Sequence, residues 1–134
     1  MKIRLARESD EDFIKEIHKE SKEFIGSFNL FYSWDDYLKR QTKYLFYVIE
    51  GKAFMRYGYS KMLKCFVIKE IAVKNEFKGT GCAKALFNHT KRPLYLTCNT
   101  DNKKANEFYS RMGMKFKGEK TSKNGKFKMN VWVI

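Results

Sequence analysis

The chain has one proline, three cysteines and two histidines in 134 residues, and only 15 acidic side chains against 28 lysines and arginines. Cys65, Cys82 and Cys98 are odd in number, widely spaced and without a CxxC pair, which argues against a disulfide framework and against a zinc site. They are expected to be reduced, two of them inside strands. The longest apolar runs, "YLFYVI" from Tyr44 and "CFVIKEIAV" from Cys65, fall far short of the roughly 18 residues of a membrane helix, so no membrane span is expected. The start, "MKIRLARESDEDF", has neither an apolar core nor a small-residue cleavage site, which predicts no secretory signal and a cytoplasmic protein. No repeat or low-complexity linker interrupts the chain, and its length suits one domain, 1–134.

The deficit of acids leaves a net charge of +13. Such a field attracts polyanions: nucleic acid, acidic protein or a multiply phosphorylated cofactor. Lysines spread along every segment also suit an ordinary solvated surface, and no nucleic-acid-binding motif accompanies them.

Alternation in "KIRLAR" predicts a short strand. Ser9, with Asp12 three residues on, is placed to cap a helix whose stripe of Phe13, Ile14, Ile17, Phe24 and Ile25 ends at Gly26. His18 borders that stripe and reads as a packing residue. "SFNLFYS" reads as an aromatic loop, and a short helix is expected from Ser33, started by Ser33 or Asp35; it either covers the sheet or lines a pocket. "YLFYVIEGKAFMRYGYS" predicts a hairpin turning at Glu50-Gly51-Lys52, and "KMLKCFVIKEIAV" the next strand. A glycine turn, a helix to about Arg92 stopped by Pro93, and the strand "LYLTCN" follow. A helix capped by Asp101 comes next, with Ala105, Phe108, Tyr109 and Met112 on one face and Gly113 at its end. A hairpin through Asn124-Gly125 closes the chain. The order β α α β β β α β α β β predicts an α+β, or mixed α/β, domain with helices on both faces of a central, mostly antiparallel sheet.

The turn "NEFKGTGCAKALF" carries Gly79 and Gly81 between a strand and a helix. With Lys84 as its lysine, a P-loop would need glycine at Ala83 and a hydroxyl at Ala85, and a dinucleotide fingerprint starting at Gly79 would need glycine at Lys84. Neither phosphate cradle fits. What remains is a helix opening whose backbone N–H groups, from Lys78 to Ala83, point at one anionic group, with Lys78 and Lys84 adding charge.

Two motifs carry a resemblance. "IAVKNEFKGTGCAKALF" resembles the acyl-CoA signature of the GCN5-related N-acetyltransferases (GNAT), with Lys78-Gly79-Thr80-Gly81-Cys82-Ala83 at its centre. Asn102, Ala105, Phe108 and Tyr109, followed by "SRMGM", resemble the family's second motif. Lys78 stands where the family has arginine or glutamine, and Met114 where it has an aromatic. The resemblance covers almost the whole chain and implies a GNAT-like fold that transfers an acetyl group from acetyl-CoA to a primary amine, with no metal. It implies that Ile71, Ala72 and Val73 bind pantetheine and donate to the acyl oxygen. Lys78, Gly79, Thr80, Gly81, Cys82, Ala83 and Lys84 would receive the pyrophosphate, with Asn102 and Ala105 completing the coenzyme site. Tyr109 matches the tyrosine near the sulfur, where a phenol protonated at neutral pH can donate to the departing thiolate.

Glu70, on the same strand, reads equally as the base, directly or through water, and as a structural ion pair. The acceptor stays open between a small amine and an amine on an acidic macromolecule such as aminoacyl-tRNA or protein. The resemblance places its recognition in Ser27–Lys43 and Glu119–Lys126, neither of which carries a readable motif. The other reading is a non-catalytic, basic nucleic-acid-binding or regulatory module on the same fold. The oligomeric state is open, a homodimer included.

Overall fold

The computed structural model describes residues 1–21 and 29–134. The strands are β1 (Arg4–Leu5), β2 (Leu45–Ile49), β3 (Ala53–Ser60), β4 (Cys65–Val73), β5 (Leu94–Asn99), β6 (Lys115–Thr121) and β7 (Lys128–Val133). The helices are α1 (Glu11–Glu20), α2 (Leu30–Leu38), α3 (Cys82–Asn88) and α4 (Lys103–Arg111). The strands form one seven-stranded sheet in the order β1-β2-β3-β4-β5-β7-β6. All neighbours are antiparallel except β4 and β5. Element order, hairpins and mixed α/β class follow the expectation.

Strand alternation divides the core into two layers. Phe46, Val48, Phe54 and Ala72 face Ile14 and Ile17 of α1 and Leu30 and Trp34 of α2. The alternate residues Met55, Tyr57 and Ile68 join Leu86 and Phe87 of α3, Tyr109 of α4, Leu96 and Trp132 on the opposite face. Phe46, Phe54, Leu86 and Phe87 are completely buried. Burial of one such side chain contributes about 2 kcal/mol, so the two layers anchor the helices that flank the sheet.

Several local expectations are corrected. Asp10, not Ser9 with Asp12, organises the start of α1: its carboxylate accepts the Arg7 backbone N–H at 2.8 Å and both Arg4 guanidinium nitrogens at 2.7 and 2.9 Å. Phe24, Ile25 and Gly26 lie outside the described residues. Helix α2 starts earlier than Ser33, because the Asn29 side chain accepts the Tyr32 N–H; Leu30 to Ser33 are therefore helical. Helix α3 stops at Asn88, short of Arg92, where the Thr90 hydroxyl donates to the Phe87 carbonyl at 2.6 Å and the Lys91 N–H donates to the Tyr57 hydroxyl at 2.8 Å. Asn102 rather than Asp101 caps α4, accepting the Ala105 N–H.

Candidate active site

Strands β4 and β5 share only the pairs Phe66↔Leu94 and Val67↔Tyr95. Beyond them β4 continues to Val73 and β5 to Asn99, each still paired on its outer side, β4 to β3 and β5 to β7. The sheet is thus split by a wedge. Its two walls, Ile68–Val73 and Leu96–Asn99, present backbone N–H and C=O groups with no strand opposite. Ile71, Ala72 and Val73 therefore line the β4 wall, with Ala72 buried and its neighbours partly so.

The glycine turn stands where β4 leaves the wedge. Gly79 (φ 80°) and Gly81 (φ 90°) both adopt left-handed backbone, which side chains resist. A Cβ at Gly79 would meet nothing within 4 Å, and one at Gly81 only Met1 Cε at 3.8 Å. Space outside the turn is open, as a bulky anion requires. Lys78, Gly79, Thr80, Gly81 and Lys84 are exposed around it. The Thr80 hydroxyl is spent on the turn itself, donating to the Phe77 carbonyl and lying 3.4 Å from Cys82 Sγ. Cys82 is buried and anchors the helix opening in the core, with Ala83 partly buried beside it.

Tyr109 is 8% exposed, its ring packed on Phe108 and Phe87. Its hydroxyl makes no hydrogen bond among the described residues, while no polar side-chain atom sealed from solvent lacks a partner, so the hydroxyl oxygen touches accessible space. Burial raises its pKa above the ordinary phenol value, and repulsion from Cys98 and Glu70 adds to the shift, placing both near it. These come from the two walls, Cys98 from β5 and Glu70 from β4. Burial, with help from Asp101, pushes the Cys98 thiol up to about 11.

Glu70 pairs across the strands with Arg56, Nε to Oε1 at 2.6 Å and Nη2 to Oε2 at 3.1 Å. Burial lifts the Glu70 carboxyl above the usual carboxylate range, opposed by the Arg56 hydrogen bonds. The pair lies on the α1/α2 side, two residues along from Phe54 and Ala72. The sheet thus brings together Glu70, Ile71 to Val73, the glycine turn and Tyr109 around one wedge.

Sequence reading missed Arg56, Cys98 and Asn106. Asn106 ties α4 to both inner strands of the far sheet half. Its Nδ2 donates to the Asn99 and Asn102 carbonyls, both at 2.9 Å, and its Oδ1 accepts from Trp132 Nε1 at 2.8 Å and Asn130 Nδ2 at 3.1 Å. The signal was present, since Asn106 sits one helical turn after Asn102 and three residues before Tyr109. In the α2 segment Trp34 covers the sheet, and Phe31 and Asp35 line a groove of about 750 Å³ against α1, with His18 on its other bank. Among the described residues no group of three or more His, Cys, Asp or Glu could hold a metal ion.

A split sheet with a glycine turn at the mouth of the split defines the class: an acyltransferase-type α/β domain. The profile of the Acetyltransferase (GNAT) domain matches residues 6–130, and the chain belongs to that family. No curated protein matches it in sequence. Solved structures share the fold at low identity. A mutant of spermidine N-acetyltransferase SpeG from Vibrio cholerae superimposes with a TM-score of 0.78 at 15% identity, covering 100% of this chain and 94% of that one. Arabidopsis thaliana NAA60 in complex with acetyl-CoA gives 0.73 at 16% identity, covering 99% and 97%. The ribosomal-protein-S18-alanine N-acetyltransferase from Escherichia coli gives 0.70 at 17% identity, covering 99% and 92%.

Proposed function

We propose that this chain is an acetyl-CoA-dependent N-acetyltransferase that moves the acetyl group to a primary amine by direct attack. The wedge between β4 and β5, with the Tyr109 hydroxyl beside it and without a hydrogen-bond partner among the described residues, is the observation that carries this reading. Acetyl-CoA supplies an activated thioester. The chain's residues do the rest.

Backbone N–H groups of Gly79, Gly81, Cys82 and Ala83, with the Lys78 and Lys84 side chains, take the pyrophosphate at the glycine turn; the Lys78 and Thr80 N–H groups, expected among the donors, are instead engaged by the Asn75 and Phe77 carbonyls, both at 3.3 Å. Asn102 and Ala105 frame the start of α4 beside the coenzyme. The β4 wall at Ile71 to Val73 holds the pantetheine arm and donates to the acyl oxygen as negative charge develops there; one such donor contributes roughly 3 kcal/mol to the barrier. The amine nitrogen bonds to the carbonyl carbon and the carbon–sulfur bond breaks. Tyr109, held protonated by burial, gives its proton to the thiolate. Glu70, whose carboxyl burial has made more basic, takes the amine's proton, directly or through water. Arg56 fixes its orientation.

The test follows thiol release from acetyl-CoA across an amine library, with acetyl-CoA affinity measured on the same protein. Acetyl transfer to an amine supports the reading. No turnover, together with salt-sensitive oligonucleotide binding, overturns it in favour of a basic binding module.

A further inference from the structure

On the α1/α2 side of the wedge, cations converge on a single ring. Lys69 Nζ lies 4.8 Å from the centroid of Tyr44, Lys43 Nζ 5.3 Å and the Arg56 guanidinium carbon 6.0 Å. The arrangement is built into the fold at two places. Lys69 is the extra residue of a bulge in β4, since Arg56 pairs Glu70 and the next residue, Tyr57, pairs Ile68. Bulges of this kind re-aim a side chain. Gly58 allows the second: a Cβ there would stand 2.2 Å from the Lys43 carbonyl oxygen and 3.1 Å from Tyr44 Cδ1. The Lys43-Tyr44 backbone therefore lies directly on β3.

The nearby acid does not quench this charge, because both Glu70 oxygens are engaged by Arg56. Among the described residues Lys43, Lys69 and Lys123 form no salt bridge. Burial lowers the Lys69 pKa, and repulsion from Arg56, Lys123 and Lys43 lowers it further against attraction from Glu70. That brings Lys123, from the β6–β7 turn, into the same field. Lys43, Lys69 and Lys123 are all exposed, and like charges crowded together are relieved by an anion.

We propose that the acceptor is an amine carrying a carboxylate or phosphate within a few bonds of its nitrogen, with Lys43 and Lys69 around Tyr44, joined by Lys123 in the same field, reading that anionic group. The inference rests on the acetyltransferase reading and narrows its acceptor. Amine and anion then occupy adjacent places, the amine beside the Glu70–Arg56 pair and the anion on the lysines. Polycationic amines are repelled.

The experiment uses matched amines: glycine against glycinamide, phosphoethanolamine against ethanolamine, and peptides whose second residue is aspartate against ones with lysine there. The anionic member of at least one pair is expected to have about tenfold higher kcat/KM, carried by KM; which pair responds separates free amino acid, phosphoamine and peptide amino terminus. Lys69→Gln and Lys123→Gln should each cut that ratio about threefold or more. Lys123→Gln, on an exposed turn, keeps the test available if the strand variant fails to fold. The inference is overturned if no pair prefers the anion, or if the preference survives both substitutions. Should acetyl-CoA bind without any turnover, the same pairs are titrated calorimetrically onto the coenzyme-loaded protein: preferential binding of the anionic member upholds the inference, and its absence overturns it. Failure to bind acetyl-CoA is the separate outcome that removes the acetyltransferase reading itself.

Discussion

Replacing Tyr109 with phenylalanine separates catalysis from packing, because the structure assigns the ring and the hydroxyl different surroundings. The ring packs on Phe108 at 5.3 Å and on Phe87 at 6.5 Å between centroids, and phenylalanine keeps both contacts. The hydroxyl has no hydrogen-bond partner among the described residues, so its removal leaves no orphaned group behind. Stability should therefore change by less than about 1 kcal/mol in either direction. A general acid contributes roughly 10²–10⁴-fold to rate, so kcat should fall by at least about 100-fold, a loss of about 2.7 kcal/mol in transition-state stabilisation. Acetyl-CoA affinity should change little, since the hydroxyl acts on the leaving sulfur only as the bond breaks. The assay combines thermal melting, calorimetric titration with acetyl-CoA and initial rates of thiol release. A kcat within about threefold of the parent would refute the proton-donor role. A large drop in melting temperature would show instead that the hydroxyl makes a structural contact.

Asn106→Ala removes four hydrogen bonds, three of which join α4 to the β5 end and β7, which should cost about 3 kcal/mol and lower Tm by roughly 10 °C; a shift under about 2 °C contradicts the tie. Gly81→Ala forces a side chain into left-handed backbone at φ 90°, so it should cost about 1–2 kcal/mol in denaturant titration and weaken acetyl-CoA binding about tenfold. Gly81→Asn should lose less stability, because asparagine tolerates that conformation. Cys98 keeps its proton in the folded chain up to about pH 11, against 9.0 for a free thiol. Between those values the unfolded chain holds fewer protons than the folded one, so stability falls as pH rises, by on the order of 2 kcal/mol from this group. Urea titrations at pH 8.5 and 10.5 should show that fall shrinking in Cys98→Ala, and an unchanged slope contradicts the assignment.

Architecture was legible wherever periodicity acts locally. The β2–β3 hairpin follows from alternation around Gly51, and α4 from its apolar stripe and the stop at Gly113. The glycine turn was legible through failed alternatives, with Ala83, Lys84 and Ala85 excluding two phosphate cradles. Boundaries set by single side-chain hydrogen bonds were not, as Asn29, Thr90 and Asn102 show; a capping residue is only one of several polar residues in a row until the fold selects it. Partners brought together by sheet register were hidden more deeply. Nothing near Glu70 in sequence points to Arg56, fourteen residues earlier, and a bulge at Lys69 has no local signature. The same holds for Gly58, whose small size matters only because Lys43 and Tyr44 cross β3 there. The wedge itself arises from β5 pairing fully with β7 while β4 pairs fully with β3, a property of the whole sheet.

Amide hydrogen exchange with and without acetyl-CoA tests the coenzyme site most directly. Slowed exchange at Ile71–Val73 and at Lys78–Ala83, the β4 wall and the glycine turn, is the predicted result. Protection absent from both segments, or confined to the groove between α1 and α2, would contradict the account.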